Sequence, residues 1–462
     1  MAGKATRGGS LTWLKRVERD NPPLYRAIAS ALEEAVRAGE LQPGERLAPQ
    51  RAVARSLGVD LTTVTRAYNA AHAAGLLDGT VGRGSFVRAP AAPDDAGLVD
   101  LTMNLPPPPL GLSLGALIGQ TCSTILARVD AAALMAYHPD AGSSAQRAAG
   151  AAWLAPVLGE VSPDQLLVAA GAQAALAAAL SVLCRPGDAV LTEPLIYPGL
   201  RAAAAQLGLR LVACAADAEG MTPDALDAAC RAHGPSALYL TPAMQNPTAT
   251  TMSVARRRAV ARLAAAHDVR IIEDDPYSLL MARPLPALAT FAPDRTIHVA
   301  TLSKVLTPGL RIAFVVAPAA LAERVAAALR AVSQMPAPLM AALAAAWIRD
   351  GTAETVLAAI RREAVARRAL AAAALPDAVG APESLHVWQP LPSSSYADRL
   401  RLAARERGLA LAAADAFAVG PDFAPGLRIS LGGPTRRASL ARALQELGET
   451  LRGGTAAPAV IV

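Results

Sequence analysis

The sequence predicts an α/β protein in two parts, a basic N-terminal winged helix-turn-helix and a large domain built on a mainly parallel sheet. Three observations carry this. From residue 112 onward, apolar runs of strand length alternate with alanine-rich stretches of helical length, the pattern of a parallel sheet covered on both faces. Residues 1–90 hold 13 Lys and Arg against 8 Asp and Glu, so most of the chain's net charge of +6 lies there. Within that basic stretch, two short periodic segments flank Leu57-Gly58-Val59-Asp60, a tight turn between helices.

Taken in order, Leu24 to Arg37 has apolar residues at Leu24, Ile28, Leu32 and Val36, the spacing of a helix with one buried face. Gly39 and Leu41-Gln42-Pro43-Gly44 end it. Gln50 to Ser56 and Thr62 to Ala74 follow as the paired helices, the second with Val64, Ala67, Tyr68 and Ala71 inward. Its first turn offers Thr62, Thr63, Thr65 and Arg66, small polar groups and one guanidinium suited to base edges and phosphates. Arg51 adds a phosphate contact from the preceding helix. Strands around Leu76-Leu77 and Ser85-Phe86-Val87 form a hairpin whose tip, Gly82-Arg83-Gly84, carries Arg83 as a wing.

Residues 89–111 read as a linker, with Ala89-Pro90-Ala91-Ala92-Pro93 and then Pro106 to Pro109. The proline run is stiff and extended, either a spacer or a segment packed on the large domain. Candidate strands beyond it are Leu166 to Ala169, Ala189 to Thr192, Arg210 to Cys214, Ala237 to Thr241, Arg270 to Glu273, Ile297 to Ala300 and Ile312 to Val316.

The 462 residues are 53% hydrophobic and only 3% aromatic, so the core must rest on Ala, Leu and Val. The four cysteines form no CxxC pair and the six histidines show no metal spacing. No metal site is expected, and a reducing cytoplasm suits the chain. The N-terminus lacks the apolar core of a signal peptide. Residues 165–184 are uncharged for the length of a membrane span. Gly171-Ala172-Gln173 interrupts them, however, and a strand, a turn and a buried helix explain them better than a membrane partner does.

The most informative stretch is 273–304. Glu273-Asp274-Asp275 ends an apolar strand, Tyr277 follows, and Lys304 closes a second strand after Ser303. Such a trio can hold pyridoxal 5′-phosphate (PLP): a lysine for the Schiff base, a carboxylate for the pyridine nitrogen and a phenol for the ring hydroxyl. Gly171-Ala172-Gln173 opens a helix whose free amides suit a phosphate, and Ser303 and Arg311 offer it a hydroxyl and a guanidinium. Tyr197 can stack on the ring or be a core tyrosine. Asn246 can reach the ring hydroxyl or be a turn residue before Pro247. Arg428, inside the apolar strand Leu427 to Leu431, needs an anion: either a substrate carboxylate or a structural salt bridge.

Residues 22–88 resemble the winged helix of GntR-type regulators, on Leu47-Ala48-Pro49-Gln50-Arg51, Leu57-Gly58-Val59, Thr63-Val64-Thr65-Arg66-Ala67 and Gly82-Arg83-Gly84-Ser85-Phe86-Val87. The chain departs from many members at Asp60-Leu61, where Ser-Arg is common. Residues 100–450 resemble the fold type I aminotransferases, on Asn246-Pro247-Thr248, Asp274 to Tyr277, Ser303-Lys304, Pro308-Gly309-Leu310-Arg311 and Arg428. Ala249 and Ala313 stand where those enzymes commonly have glycine. The resemblance implies a fold type I PLP domain with a smaller C-terminal α+β subdomain. It implies PLP on Lys304, Asp274 at the pyridine nitrogen and Tyr277 at the ring oxygen. It also implies a homodimer in which Tyr137 reaches the neighbouring subunit's phosphate.

The whole arrangement resembles the MocR subgroup of GntR regulators. Its expected parts are a winged helix (1–88), a linker (89–111), a PLP-binding domain (112–452) and a tail (453–462). The implied function is a regulator that binds double-stranded operator DNA and senses an amino-acid-like or vitamin B6 effector through Schiff-base chemistry at Lys304. The alternative is an active PLP-dependent aminotransferase acting on an amino acid.

Overall fold

The computed structural model describes residues 11–18, 23–38, 40–41, 45–73, 76–80, 84–88, 97–138 and 141–453. The chain forms two compact units, Met1–Asp95 and Ala96–Val462.

The first unit contains helices α1 (Leu24–Arg37), α2 (Gln50–Leu57) and α3 (Leu61–Ala73), then an antiparallel hairpin of β1 (Leu77–Thr80) and β2 (Gly84–Val87). Gly58 closes α2 in the left-handed region at φ 64°, where glycine carries no Cβ penalty. Asp60 then starts α3: its carboxylate accepts from the Thr62 amide at 2.8 Å, satisfying a helix-end donor. This gives Asp60 a structural task at the position where the chain departs from typical GntR members. Ile28, Leu32, Val53, Val64 and Tyr68 meet in one core. Trp13, from a short 3-10 turn at Thr12–Arg16, is fully buried in the same core. No periodicity marks that turn in the sequence. Arg83 lies outside the described residues.

In the second unit the seven candidate strands form one seven-stranded sheet. They are β3 (Leu166–Ala169), β4 (Ala189–Thr192), β5 (Arg210–Ala213), β6 (Ala237–Leu240), β7 (Arg270–Asp274), β8 (Thr296–Thr301) and β9 (Ala313–Val316), in the order β3-β9-β8-β7-β6-β4-β5. Only β9 runs against its neighbours. Alternate residues of β3 feed opposite cores: Leu166 and Val168 one, Leu167 and Ala169 the other. That two-sided burial is why these strands read as continuous apolar runs. Residues 165–184 form β3 and the helix α4 (Ala172–Leu183). Among the described residues no helix is long and apolar enough to cross a membrane.

A smaller three-stranded antiparallel sheet follows, β10 (His386–Pro390), β11 (Ala412–Ala413) and β12 (Gly426–Ser430), in the order β10-β12-β11. Helices Thr352–Ala374, Ser394–Glu406 and Arg437–Gly453 share its apolar core.

The sequence assigns residues 97–111 to the linker. In the structure they belong to the large unit. Val99–Asp100 pairs in parallel with Leu409–Ala410, Leu101 is fully buried, and the Ser430 amide donates to the Leu101 carbonyl at 2.9 Å. This strap runs against Gly432 and Gly433, where an added Cβ would collide with the backbone oxygens of Leu105 and Asp100 respectively. Hydrogen bonding and close backbone contact hold the strap, and neither leaves a composition signal.

Candidate cofactor site

Strand alternation at the end of β7 sorts three consecutive carboxylates. Glu273 accepts from the amides of Leu288 (2.7 Å) and Ala289 (2.9 Å) and pairs with His298 Nδ1 at 3.1 Å. Asp275 accepts from the Ser278 amide at 2.9 Å and lies 3.7 Å from His298 Nε2. Burial disfavours a charge on His298, yet Glu273 and then Asp275 hold its pKa above the usual imidazole value. Asp274 makes neither contact. Its Oδ2 accepts from the Tyr239 hydroxyl at 2.7 Å, and its Oδ1 is buried with no partner. Burial pushes its pKa up to about 6, against the pull of Tyr239 and with a further push from Asp275. An orphaned buried carboxylate oxygen is a costly feature. A protonated ring nitrogen would satisfy it.

Lys304 follows β8, and its Nζ donates to the backbone carbonyl of Asn104. Burial, then the charge of Arg428, lowers its pKa to about 8, with Asp274 acting in the opposite direction. Roughly a tenth of such an amine is unprotonated at pH 7, far more than of a free lysine, and that fraction is the nucleophile.

Gly171, at φ 88°, precedes α4, whose N-terminus has no side-chain cap. A Cβ at Gly171 would lie 2.6 Å from Arg311 Nη2. The guanidinium of Arg311 is thereby set beside the uncapped turn that Ala172 and Gln173 begin. Free amides next to a guanidinium make a phosphate cradle. Gln173 donates to the Gly199 carbonyl at 2.9 Å through its side chain, leaving its amide oxygen buried and unpartnered. Ser303 lies 3.0 Å from the Thr301 hydroxyl. Tyr197 is half-buried, and its pKa is raised by burial and then by Asp274, with Arg311 opposing.

Tyr277 is buried, and its hydroxyl accepts from Asn104 Nδ2 at 2.8 Å. The same amide nitrogen lies 3.1 Å from His386 Nδ1, and His386 Nε2 lies 3.0 Å from the Gln245 carbonyl. Arg428 donates to Asn246 Oδ1 at 2.8 Å and to the Thr102 carbonyl, while its Nε is buried without a partner. Phe417 covers it, ring centroid to guanidinium 4.8 Å. No carboxylate among the described residues forms an ion pair with Arg428, so the structural salt bridge that would explain it is absent there. Tyr137 is 80% exposed in the single chain.

Tyr239, Asn104 and His386 were not singled out from the sequence. Tyr239 carried a weak signal, a phenol within an otherwise apolar strand. Asn104 and His386 carried none, because only folding brings positions so far apart together.

In the N-terminal unit, Arg51, Thr62 and Arg66 are exposed and Thr63 and Thr65 half-buried. Two hydroxyls are engaged internally: Thr62 donates to Asp60 at 2.5 Å, and Thr65 Oγ1 lies 2.9 Å from the Leu61 carbonyl and 2.8 Å from Gln50 Oε1. The Arg66 guanidinium lies over the Tyr25 ring at 4.5 Å.

Residues 116–447 match the family described as aminotransferase class I and II, and residues 24–87 match the bacterial regulatory proteins of the gntR family. The chain is 33% identical over 456 residues to YdeF of Bacillus subtilis (strain 168), an uncharacterized HTH-type transcriptional regulator, across 96% of this chain and 97% of that one. It is 29% identical over 381 residues to MocR of Rhizobium meliloti, a probable rhizopine catabolism regulatory protein, across 75% and 76% of the two chains. Among solved structures, LysN, the α-aminoadipate aminotransferase of Thermus thermophilus, superposes with a TM-score of 0.71 at 25% identity, covering 84% of this chain and 98% of that one. The chain belongs to the GntR/MocR family, an N-terminal helix-turn-helix joined to a fold type I aminotransferase-like domain.

Proposed function

We propose that the chain is a DNA-binding transcriptional regulator that holds PLP at Lys304 and responds to an amino compound or a B6 vitamer. The observation that carries this reading is the course of the strap. The segment leading from the helix-turn-helix unit enters the candidate site, where the carbonyls of Thr102 and Asn104 accept from Arg428 and Lys304. A ligand that takes up Lys304 and the guanidinium of Arg428 competes with the bonds that hold this strap, and so acts on the chain that leads to the DNA reader.

The residues present fit PLP. When bound, PLP supplies an electrophilic carbonyl carbon conjugated to an electron-withdrawing pyridinium. Asp274 would hold the ring nitrogen protonated, Tyr277 would donate to the ring oxygen, and Tyr197 would cover the ring. The amides of Ala172 and Gln173, with Ser303 and Arg311, would take the phosphate. Arg428 and Asn246 would hold an effector carboxylate bidentately, the unpartnered Nε of Arg428 supplying a free donor. The solved relative LysN is complexed with N-(5′-phosphopyridoxyl)-L-leucine, which supports a carboxylate-bearing amino compound as ligand of this fold.

A homodimer belongs to this reading, with exposed Tyr137 reaching the phosphate of the second copy. Arg51, Thr63 and Arg66 would meet operator DNA, with Thr62, Thr65 and Arg83 beside them. The second reading, an active aminotransferase, is favoured by the same complete polar set at Lys304.

One experiment separates them. Amino acids and B6 vitamers are screened for a change in the visible absorbance of the holoprotein. The responsive ligand is then titrated with and without DNA from the gene's own upstream region. Coupling is reciprocal, so a sensor binds its effector with a different affinity when on DNA. Equal affinities, together with steady release of keto acid, would establish the enzyme reading instead.

A further inference from the structure

We infer that Asn104 and His386 are positioning residues that fix Tyr277 as a hydrogen-bond donor to the bound cofactor's ring oxygen. The inference deepens the PLP reading and rests on it.

The argument starts at a carbonyl. His386 Nε2 lies 3.0 Å from the Gln245 carbonyl oxygen, which can only accept. The ring must therefore carry its proton on Nε2. Burial, then the charge of Arg428, depresses the His386 pKa to about 3, so the ring is neutral and Nδ1 is bare. Nδ1 lies 3.1 Å from the side-chain amide of Asn104. A bare nitrogen must face the NH2 end of that amide, which fixes the orientation of Asn104. The other hydrogen of the same NH2 points to Tyr277 Oη at 2.8 Å. Tyr277 is thus an acceptor on its Asn104 side. Its own proton, with no acceptor among the described residues, is free for a ligand oxygen. Asn104 is 7% exposed and His386 and Tyr277 are 0% and 2% exposed, so water cannot scramble this sequence of bonds. The order is Gln245 carbonyl, His386, Asn104, Tyr277.

Asn104 also lies on the strap. The element that leads toward the DNA-binding unit therefore decides which way the phenol of the cofactor site donates.

The test replaces Asn104 by Asp, nearly the same shape with the donor removed. A carboxylate there accepts from Tyr277, turns the phenol's proton away from the cofactor and presents no donor to His386 Nδ1. Donation to the ring oxygen favours its ionised form, so losing it raises the pH midpoint of the bound cofactor's absorbance change. The expected shift is about one pH unit, with PLP affinity about tenfold weaker. Tyr277→Phe should give a similar shift. The double variant Asn104→Ser/Tyr277→Phe, which adds no charge, should give no more than Tyr277→Phe alone, because Asn104 acts through Tyr277.

Circular dichroism and melting of each variant register any structural damage, and Asn104→Ser supplies a second variant with a smaller, donor-capable side chain and a smaller shift. Two results overturn the inference: additive shifts in the double variant, or an unmoved midpoint in Asn104→Asp where Tyr277→Phe moves it. A parent protein that gains no absorbance with PLP and retains none after borohydride overturns the PLP reading itself, a distinguishable outcome.

Discussion

Replacing Asp274 by Asn should make the ligand-free chain gain stability relative to the parent as pH rises, and should weaken PLP binding. In the ligand-free chain one Asp274 oxygen holds the Tyr239 hydroxyl and the other is buried alone, and burial lifts the pKa from 3.8 to about 6. A folded-state pKa above the unfolded value means that the folded chain binds the proton more tightly. Ionisation therefore costs stability progressively as pH climbs through that window, and the full cost stands at pH 7. At about 1.4 kcal/mol per unit this cost is roughly 3 kcal/mol, of which about 1.3 kcal/mol accrues between about pH 5 and pH 7.

Asn keeps an acceptor for Tyr239 and carries no charge. Its unpartnered NH2 has a cost of its own, about 1–2 kcal/mol, which does not vary with pH. The telling quantity is therefore the change with pH. The melting temperature of the PLP-free variant, relative to the parent, should rise by about 2 °C from about pH 5 to pH 7, given the unfolding entropy of a unit this size. PLP affinity should fall by about ten- to a hundredfold, the loss of one charge-assisted hydrogen bond. Thermal melts at the two pH values and equilibrium dialysis against PLP measure both. A melting difference that stays constant with pH, or an unchanged PLP affinity, would refute the reasoning.

Four further outcomes are expected. Asp275→Asn should leave PLP affinity within about threefold while lowering the melting temperature, because Asp275 serves His298 and the Ser278 amide; dialysis and melting distinguish it from Asp274→Asn. Lys304→Ala should abolish borohydride-fixed cofactor, and in the parent the rate of PLP capture should rise with pH around a midpoint of about 8 as the amine loses its proton; fixation to another lysine, seen by peptide mapping, would exclude the assignment. Gly171→Ala should weaken PLP more than pyridoxal, because its Cβ would displace Arg311 from the phosphate cradle; equal losses for the two ligands count against that cradle. Arg66→Ala or Arg51→Ala should weaken DNA binding across sequences and reduce the slope of log affinity against log salt by about one, read from binding at several salt concentrations.

Local order decided how much of this could be read in advance. Six of the seven strands of the large sheet stand out because they are buried on both faces, which forces a continuous apolar run, while the edge strand β5 is partly exposed. Lys304, Asp274 and Arg311 sit at strand ends or beside them, so their position along the chain already expresses their position in space. The helix pair of the N-terminal unit is legible for a similar reason, since Gly58 and Asp60 mark the turn by their own backbone chemistry.

What the sequence could not decide is which groups meet across the fold. Asp274 is already expected at the site from the sequence, but what occupies its neighbours is not: Glu273 and Asp275 both turn to His298, which comes from a different strand. The strap at 97–111 looks like linker because its attachment is made by main-chain bonds and by the bare backbone of Gly432 and Gly433. Those interactions have no side-chain signature. Sequence alone determined the chemistry available to this protein, through residue types at strand ends. Tertiary structure alone determined that Asn104 and His386 join that chemistry, because a hydrogen bond between residues hundreds of positions apart is set by folding and by nothing local.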